Sequence, residues 1–144
     1  MKLSTRARYC LRMMVEIARE TREGGTVSLS SIAGKTGISR RYLEQLAIPL
    51  KNASLIRGTA GKAGGYTLTD AAGNITAGRI IEAAIGPVNI VECVDEPEMC
   101  IKSDLCECRP VYELINRRIK EVLYDISLED LLENPGGIEK LQGH

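Results

Sequence analysis

The chain has 144 residues, of which 44% are hydrophobic and 26% charged, the balance of one compact soluble domain with an appendage. A chain of this length buries about 68–70% of its unfolded surface and needs no disulfides to fold. Phe and Trp are absent and the single histidine is His144, which excludes an internal Ser-His-Asp or Cys-His catalytic set and internal His-ligated zinc or haem. The formal net charge is zero, yet residues 1–70 carry 12 basic side chains against 5 acidic ones, and residues 71–144 carry 7 against 14. That segregation predicts an anion-binding front half carried by a chemically different second half. No apolar run approaches ~18 residues, and Lys2, Arg6, Arg8 and Arg12 interrupt the N-terminus. Neither a membrane span nor a signal peptide is expected, and the expected compartment is the cytoplasm.

Ser4 is a candidate N-cap for a helix over about 5–22, in which Ala7, Cys10, Leu11, Met14, Val15 and Ala18 recur at helical spacing. Glu23-Gly24-Gly25 ends it. A short helix follows over about 29–35, capped by Ser28 or Ser30, with Ile32 and Ala33 inward. Gly37 supplies a tight turn, and Ser39 caps a third helix whose Leu43, Leu46 and Ala47 point one way. Short helix, glycine turn and capped helix make a helix-turn-helix, whose second helix enters the DNA major groove. Its exposed opening is Ser39, Arg40, Arg41 and Tyr42, followed by Glu44 and Gln45. Arg forks pair with phosphate or guanine edges, Gln with adenine and Glu with the cytosine amino group. Any surface helix has a polar face; the preceding turn is what favours readout here. Pro49 is expected to end or kink this helix, because it lacks the amide donor and crowds the preceding turn.

Leu55-Ile56-Arg57 and Tyr66-Thr67-Leu68, flanking the glycine-rich stretch 58–65, predict a β-hairpin wing. A phosphate-cradling loop ending at Gly61-Lys62 would need Gly at 56 and Ser or Thr at 63, where the chain has Ile56 and Ala63. Arg57 and Lys62 suit a DNA backbone instead. The fold class is therefore mainly α with a small β-wing: a winged helix-turn-helix over 1–70, then a second part over 71–133 and a flexible tail over 134–144.

In the second part Thr76 caps a helix over about 77–85, stopped by Gly86-Pro87, and 88–91 is apolar and extended. Four cysteines follow as Cys93-x6-Cys100-x5-Cys106-x-Cys108, among acids, in a stretch that reads as loop. A disulfide framework does not suit a cytosolic chain, and the Cys-x2–4-Cys knuckles of structural zinc are missing. An iron–sulfur cluster accepts wide spacings, and free thiols without a cofactor are the remaining alternative. Cys10, on an apolar helix face, reads as a buried small hydrophobe. From Pro110 a long helix runs to about Asp125, its inner stripe marked by Val111, Leu114, Ile115, Arg118, Ile119, Val122 and Ile126. Such a helix outside a reading head supplies a dimer seam or packs within the subunit. Ser127-Leu128-Glu129-Asp130 opens a short last helix with a capping box.

The opening Met1-Lys2-Leu3-Ser4 with Arg8-Tyr9, the run Tyr42-Leu43-Glu44-Gln45-Leu46, Gly64-Gly65-Tyr66 on the wing and Ile75-Thr76-Ala77-Gly78 together resemble the IscR-type winged-helix transcriptional regulators. That family includes iron–sulfur assembly regulators, nitric oxide sensors and cysteine-metabolism repressors, and the resemblance covers about 1–133. It implies a non-enzymatic homodimer on near-palindromic double-stranded DNA. Cys93, Cys100 and Cys106 fall where cluster-binding members place three thiolates, which makes the iron–sulfur assembly regulators the nearest functional match and a [2Fe-2S] cluster the expected cofactor. Two departures bear on the fourth ligand. Arg109 stands where the assembly regulators have histidine, and Arg8 where the nitric oxide sensors have aspartate. Cys108 is the first candidate for that position, followed by Glu107, Asp104 or an exogenous ligand. The arginine that some relatives carry at the wing tip falls on Ala60, leaving Lys62 and Arg57 as substitutes. The expected function is a repressor of iron–sulfur assembly genes that senses its cluster. The alternatives are a cluster-free repressor of cysteine or sulfur metabolism controlled by a partner protein, a nitric oxide or redox sensor and, outside this class, a cluster-carrying redox protein.

Overall fold

Five hydroxyl side chains start five of the helices. Ser4 Oγ accepts from the Ala7 amide at 3.1 Å, Ser28 from Ser31 at 3.1 Å, Ser39 from Tyr42 at 3.2 Å, Thr76 from Arg79 at 3.2 Å and Ser127 from Asp130 at 3.1 Å. Each satisfies an amide that the helix itself leaves without a partner. At Ser127 the Asp130 carboxylate accepts in return from the Ser127 amide at 2.9 Å, which completes the capping box. In the computed structural model, which describes residues 2–90, 107–134 and 136, the elements run α1 (Thr5–Glu20), α2 (Leu29–Thr36), α3 (Arg40–Asn52), β1 (Ile56–Thr59) and β2 (Gly65–Leu68). A 3-10 turn (Ala72–Asn74), α4 (Ala77–Ile85), α5 (Arg109–Asp125) and α6 (Leu128–Glu133) follow. The expected fold class, mainly helical with a two-stranded wing, is the one observed. Among the described residues no helix is long and apolar enough to cross a membrane.

α1 is the central helix, packed by α2, α3, α4, α6 and β2. It is consequently buried over more of its circumference than one apolar stripe implies. Met13 and Ile17 are fully buried beside the expected Ala7, Cys10, Met14 and Ala18, while Leu11 and Val15 are only partly buried. The core draws on both halves of the chain: Ile32, Leu43, Leu46, Leu50 and Leu55 meet Ile75, Ile80, Ile81 and Leu128. A short backbone link holds the two ends of this arrangement together. The Ala77 amide donates to the Ile126 carbonyl at 2.8 Å, and the Leu128 amide to the Ile75 carbonyl at 2.9 Å.

Pro49 does not end α3, which continues to Asn52. The bond it removes would run to the carbonyl of Gln45, an exposed residue. The last turn is held from outside the helix: Leu50 is fully buried, and its carbonyl accepts from the Leu55 amide at 3.0 Å. The wing pairs Ile56 with Leu68, Arg57 with Thr67, Gly58 with Tyr66 and Thr59 with Gly65. Val27 adds a one-residue bridge on the other side of β2, exchanging bonds with Tyr66 at 3.0 and 2.8 Å. This explains Gly65, because a Cβ there would meet the Val27 carbonyl oxygen at 2.4 Å, a backbone atom that cannot step aside. Gly65→Ala is expected to lower stability by about 1–3 kcal/mol through overpacking, read as a drop in Tm in thermal denaturation. An unchanged Tm would mean that the Val27 bridge is dispensable.

α5 turns most of the expected inner stripe outward. Val111, Leu114, Ile115 and Val122 are exposed, between 36% and 55%. Ile119 and Ile126 of that stripe are half-buried, and beside Ile119 the inward side carries Tyr112, Asn116 and Leu123. Near its end Tyr124 lies over Gly78 of α4, where a Cβ would meet the ring at 2.8 Å. Burial and a hydrogen bond from the phenol to the Glu82 carboxylate push the Tyr124 hydroxyl up to about 12. α5 is thus fixed to α4, and α4 in turn packs on α1 and α3.

Candidate nucleic-acid interface and cysteine residues

The turn between α2 and α3 is held at three points. Gly37 caps α2 with φ of +75°, a conformation that favours glycine. Thr36 Oγ1 donates to the Ile32 carbonyl at 2.7 Å and accepts from the Ile38 amide at 3.2 Å. Arg12 reaches from α1 to donate to the Thr36 carbonyl at 2.7 Å. The first turn of α3 is therefore presented on a fixed support, with Ser39, Arg40, Arg41, Glu44 and Gln45 all exposed.

The two arginines differ. Arg40 Nε lies 3.7 Å from Glu44 Oε1, so each of these side chains occupies the other on the surface. Arg41 has no such partner among the described residues. Tyr42 is half-buried rather than presented outright: its ring meets Tyr9 edge-on, centroids 5.9 Å apart and planes at 79°. Arg12 lies 5.7 Å from the Tyr9 centroid, completing a small stack behind the reading turn. The sequence places Tyr9 in α1 and in the family's opening motif and Arg12 in α1; their three-residue spacing, which puts both on one side of the helix, is the signal for this contact.

On the wing, Arg57 and Lys62 are exposed. The tip is a tight turn in which the Gly64 amide donates to the Gly61 carbonyl at 3.0 Å, and Thr26 Oγ1 donates to the Ala63 carbonyl at 3.0 Å. Lys51, at the end of α3, lies 5.9 Å from the Tyr66 ring centroid and adds a cation between helix and wing that the sequence did not single out. Arg41, Lys51, Arg57 and Lys62 are thus carried by α3 and the wing, the two elements that follow the turn. Cations on a helix start and an adjacent hairpin can grip successive phosphates while Gln45 and Glu44 reach base edges.

Of the candidate cluster ligands, Cys108 is described and Cys93, Cys100 and Cys106 lie outside the described residues. Cys108 stands at the N-cap of α5 as an exposed free thiol that makes no side-chain capping bond. Arg109, next in the chain, pairs with Glu113 at 2.8 Å. Cys10 is fully buried, and desolvation pushes its thiol up to about 11, the inert packing role expected of it. Among the described residues no group of three or more His, Cys, Asp or Glu stands together to hold a metal ion.

The profile of Rrf2, described as iron-dependent transcriptional regulators, matches residues 3–134. The transcriptional regulator CymR of Bacillus subtilis is 41% identical over 137 residues, covering 95% of this chain and 94% of CymR. The regulator IscR of Xenorhabdus nematophila is 34% identical, covering 93% of this chain and 80% of IscR. The solved structure of B. subtilis CymR, described as the global cysteine regulator, superposes with a TM-score of 0.75 over 91% of this chain and 95% of that one, at 40% identity. That of T. potens IscR gives a TM-score of 0.76 over 94% and 88%, at 32% identity. Matched almost from end to end in sequence and in fold, the chain belongs to the Rrf2 family of transcriptional regulators.

Proposed function

We propose that this regulator is a DNA-binding homodimer, acting as a repressor, that senses an iron–sulfur cluster of the [2Fe-2S] type held by Cys93, Cys100, Cys106 and Cys108, and that it controls iron–sulfur assembly genes. The observation that carries the reading is the position of Cys108. It is an exposed thiol, uncommitted to capping, at the first turn of the helix whose outward side is the apolar stripe Val111, Leu114, Ile115 and Val122. Arg109, always cationic and held by Glu113, is not a ligand. With Cys108 in the fourth position, ahead of Glu107, Asp104 or an exogenous ligand, the donor set is all-thiolate, soft, and suited to iron and sulfide. A bound cluster supplies a redox-active, oxidant-labile group, with a lower potential under four thiolates than with histidine ligation.

The chain's own residues do the rest. Arg40, Arg41, Tyr42, Glu44 and Gln45, with Ser39 at the helix start, read one half-site, and Arg57 and Lys62 hold its phosphates. Pairing along α5 sets the spacing of two such heads, and half-sites lie about one helical turn or a multiple apart. A second reading, a cluster-free regulator of cysteine metabolism, is favoured by the higher identity to CymR, 41% against 34% for IscR.

Anaerobic purification followed by a visible spectrum and iron and acid-labile sulfide analysis separates the two. A coloured chain with iron and sulfide in equal amounts is expected, and Cys100→Ala is expected to lose both. A colourless chain that takes up neither on reconstitution would overturn the sensor and leave the second reading.

A further inference from the structure

A cavity of about 310 Å³ lies between the end of α1, the base of the wing, the 3-10 turn and α6. That volume is at the lower end of the range of small-molecule sites. None of its lining residues belongs to the reading turn. Ala18, Leu68, Ala72 and Leu132 give it an apolar floor, and Arg22, Asp70 and Glu129 bring charge to it from three separate parts of the chain.

Those charges are sorted by position. Arg22 meets Glu133 of α6 at 3.5 Å, a contact between exposed side chains that is weak and readily exchanged. Glu129 stands one helical turn before Glu133, about 6 Å along α6. Its carboxylate reaches the 3-10 turn, where a Cβ on Gly73 would meet Oε2 at 2.7 Å. Asp70 is fastened to the same turn: its Oδ1 accepts from Asn74 Nδ2 at 3.1 Å and from the Ala71 amide at 2.7 Å. The bonds from Asn74 and Ala71 hold its carboxyl below the usual carboxylate range, so it is ionised at neutral pH. The cavity therefore has a cationic end at Arg22 and an anionic end at Asp70 and Glu129.

Glu129 is the informative member. Among the described residues it makes no hydrogen bond or ion pair, although Arg22 lies against the same helix. Arg22 is turned to Glu133, and Glu129 is left at the cavity without a counterion. A guanidinium on one side and two carboxylates on the other match a molecule that carries a carboxylate and an ammonium on one short carbon frame.

We infer that this cavity binds a free aliphatic α-amino acid as its zwitterion, with the carboxylate on Arg22, the ammonium between Asp70 and Glu129, and the side chain on the apolar floor. The class follows from the lining. An acid or an amine alone leaves one charged end unmatched, and a third charged group would have only apolar surface to meet. This is a second site, and its binding requires neither the cysteines nor DNA.

The test is calorimetric titration of the full-length, reduced, metal-free chain with L-leucine, with a thermal scan alongside. One site per chain is expected, together with a rise in Tm as L-leucine is added. Isocaproate, which lacks the ammonium, and isoamylamine, which lacks the carboxylate, should each bind weaker by about tenfold or more. Arg22→Gln should weaken L-leucine by about tenfold or more, and Glu129→Gln, which leaves Asp70 in place, by about threefold or more. Both side chains are exposed, so Tm without ligand should stay put. Glu133→Gln breaks the same ion pair but keeps the guanidinium, and binding should survive it. A loss in Glu133→Gln as large as in Arg22→Gln would mean that the pair only shapes the fold, which overturns the inference. Absence of both heat and a Tm rise at millimolar L-leucine overturns it too, as does isocaproate binding as tightly as L-leucine, the mark of a simple anion site. Because no metal or duplex enters the assay, failure of the cluster reading shows separately, as absent iron and sulfide uptake.

Discussion

Leu114→Glu is expected to convert a dimer into monomers that remain folded. Leu114 is 44% exposed in the single chain, in the middle of the stripe formed with Val111, Ile115 and Val122, so a carboxylate there disturbs little within the subunit. In a symmetric pair the same position is buried twice. Losing about 1.5–3 kcal/mol of apolar burial at each copy weakens association by at least a hundred-fold, before the cost of desolvating two carboxylates is added. Sedimentation velocity reads the dissociation, and far-UV circular dichroism with a thermal scan reads the fold. Affinity for a two-half-site duplex should fall with it, since tethering the second head adds about 10²–10⁴ in avidity. A Leu114→Glu chain that sediments as the native protein does would show that pairing uses another surface.

Arg41→Ala is expected to weaken DNA binding more than Arg40→Ala. Both side chains are exposed at the start of α3, but Arg40 stands 3.7 Å from Glu44 and must leave that carboxylate, or carry it along, to reach DNA. Arg41 has no ion pair to give up among the described residues. Its loss should cost about 1–3 kcal/mol per half-site. If the contact is to phosphate, the salt dependence of binding becomes shallower by about one counterion per half-site; if it is to a base, discrimination at one position relaxes instead. Titrations of a fluorescent duplex at several salt concentrations distinguish the two, and Tm should stay put because neither side chain contributes to the core. Equal affinities for Arg41→Ala and the unsubstituted chain would move the reading face away from the opening of α3.

The helix starts were legible because each is a local event. A serine or threonine hydroxyl satisfies an amide three residues on, and Ser4, Ser28, Ser39, Thr76 and Ser127 all do so. The helix-turn-helix followed from those caps and from Gly37, and the wing from two β-prone triplets around glycines. Pro49 shows the limit of local reasoning. Its propensity opposes a helix, yet Leu50 is buried and its carbonyl engaged, and packing outweighs one missing hydrogen bond. The stripe on α5 shows another. Helical periodicity finds an apolar side but not the direction it faces, and only the contacts at Gly78 and Asn116 put Tyr112, Asn116, Ile119 and Leu123 inward.

The caps, the turn, the hairpin, the exposed basic opening of α3 and the family resemblance can be read along the chain, because each is written in residues close together. What depends on distant residues meeting was set by packing. It made α1 a central helix buried on several sides, bridged Val27 to the wing at Tyr66, and set the edge-on Tyr9–Tyr42 pair under the reading turn. It also turned most of the apolar stripe of α5 outward and gave Asn116 its partners 26 and 27 residues away. A side chain's type constrains what it can bond; which of the available groups it does bond is set by how the whole chain packs.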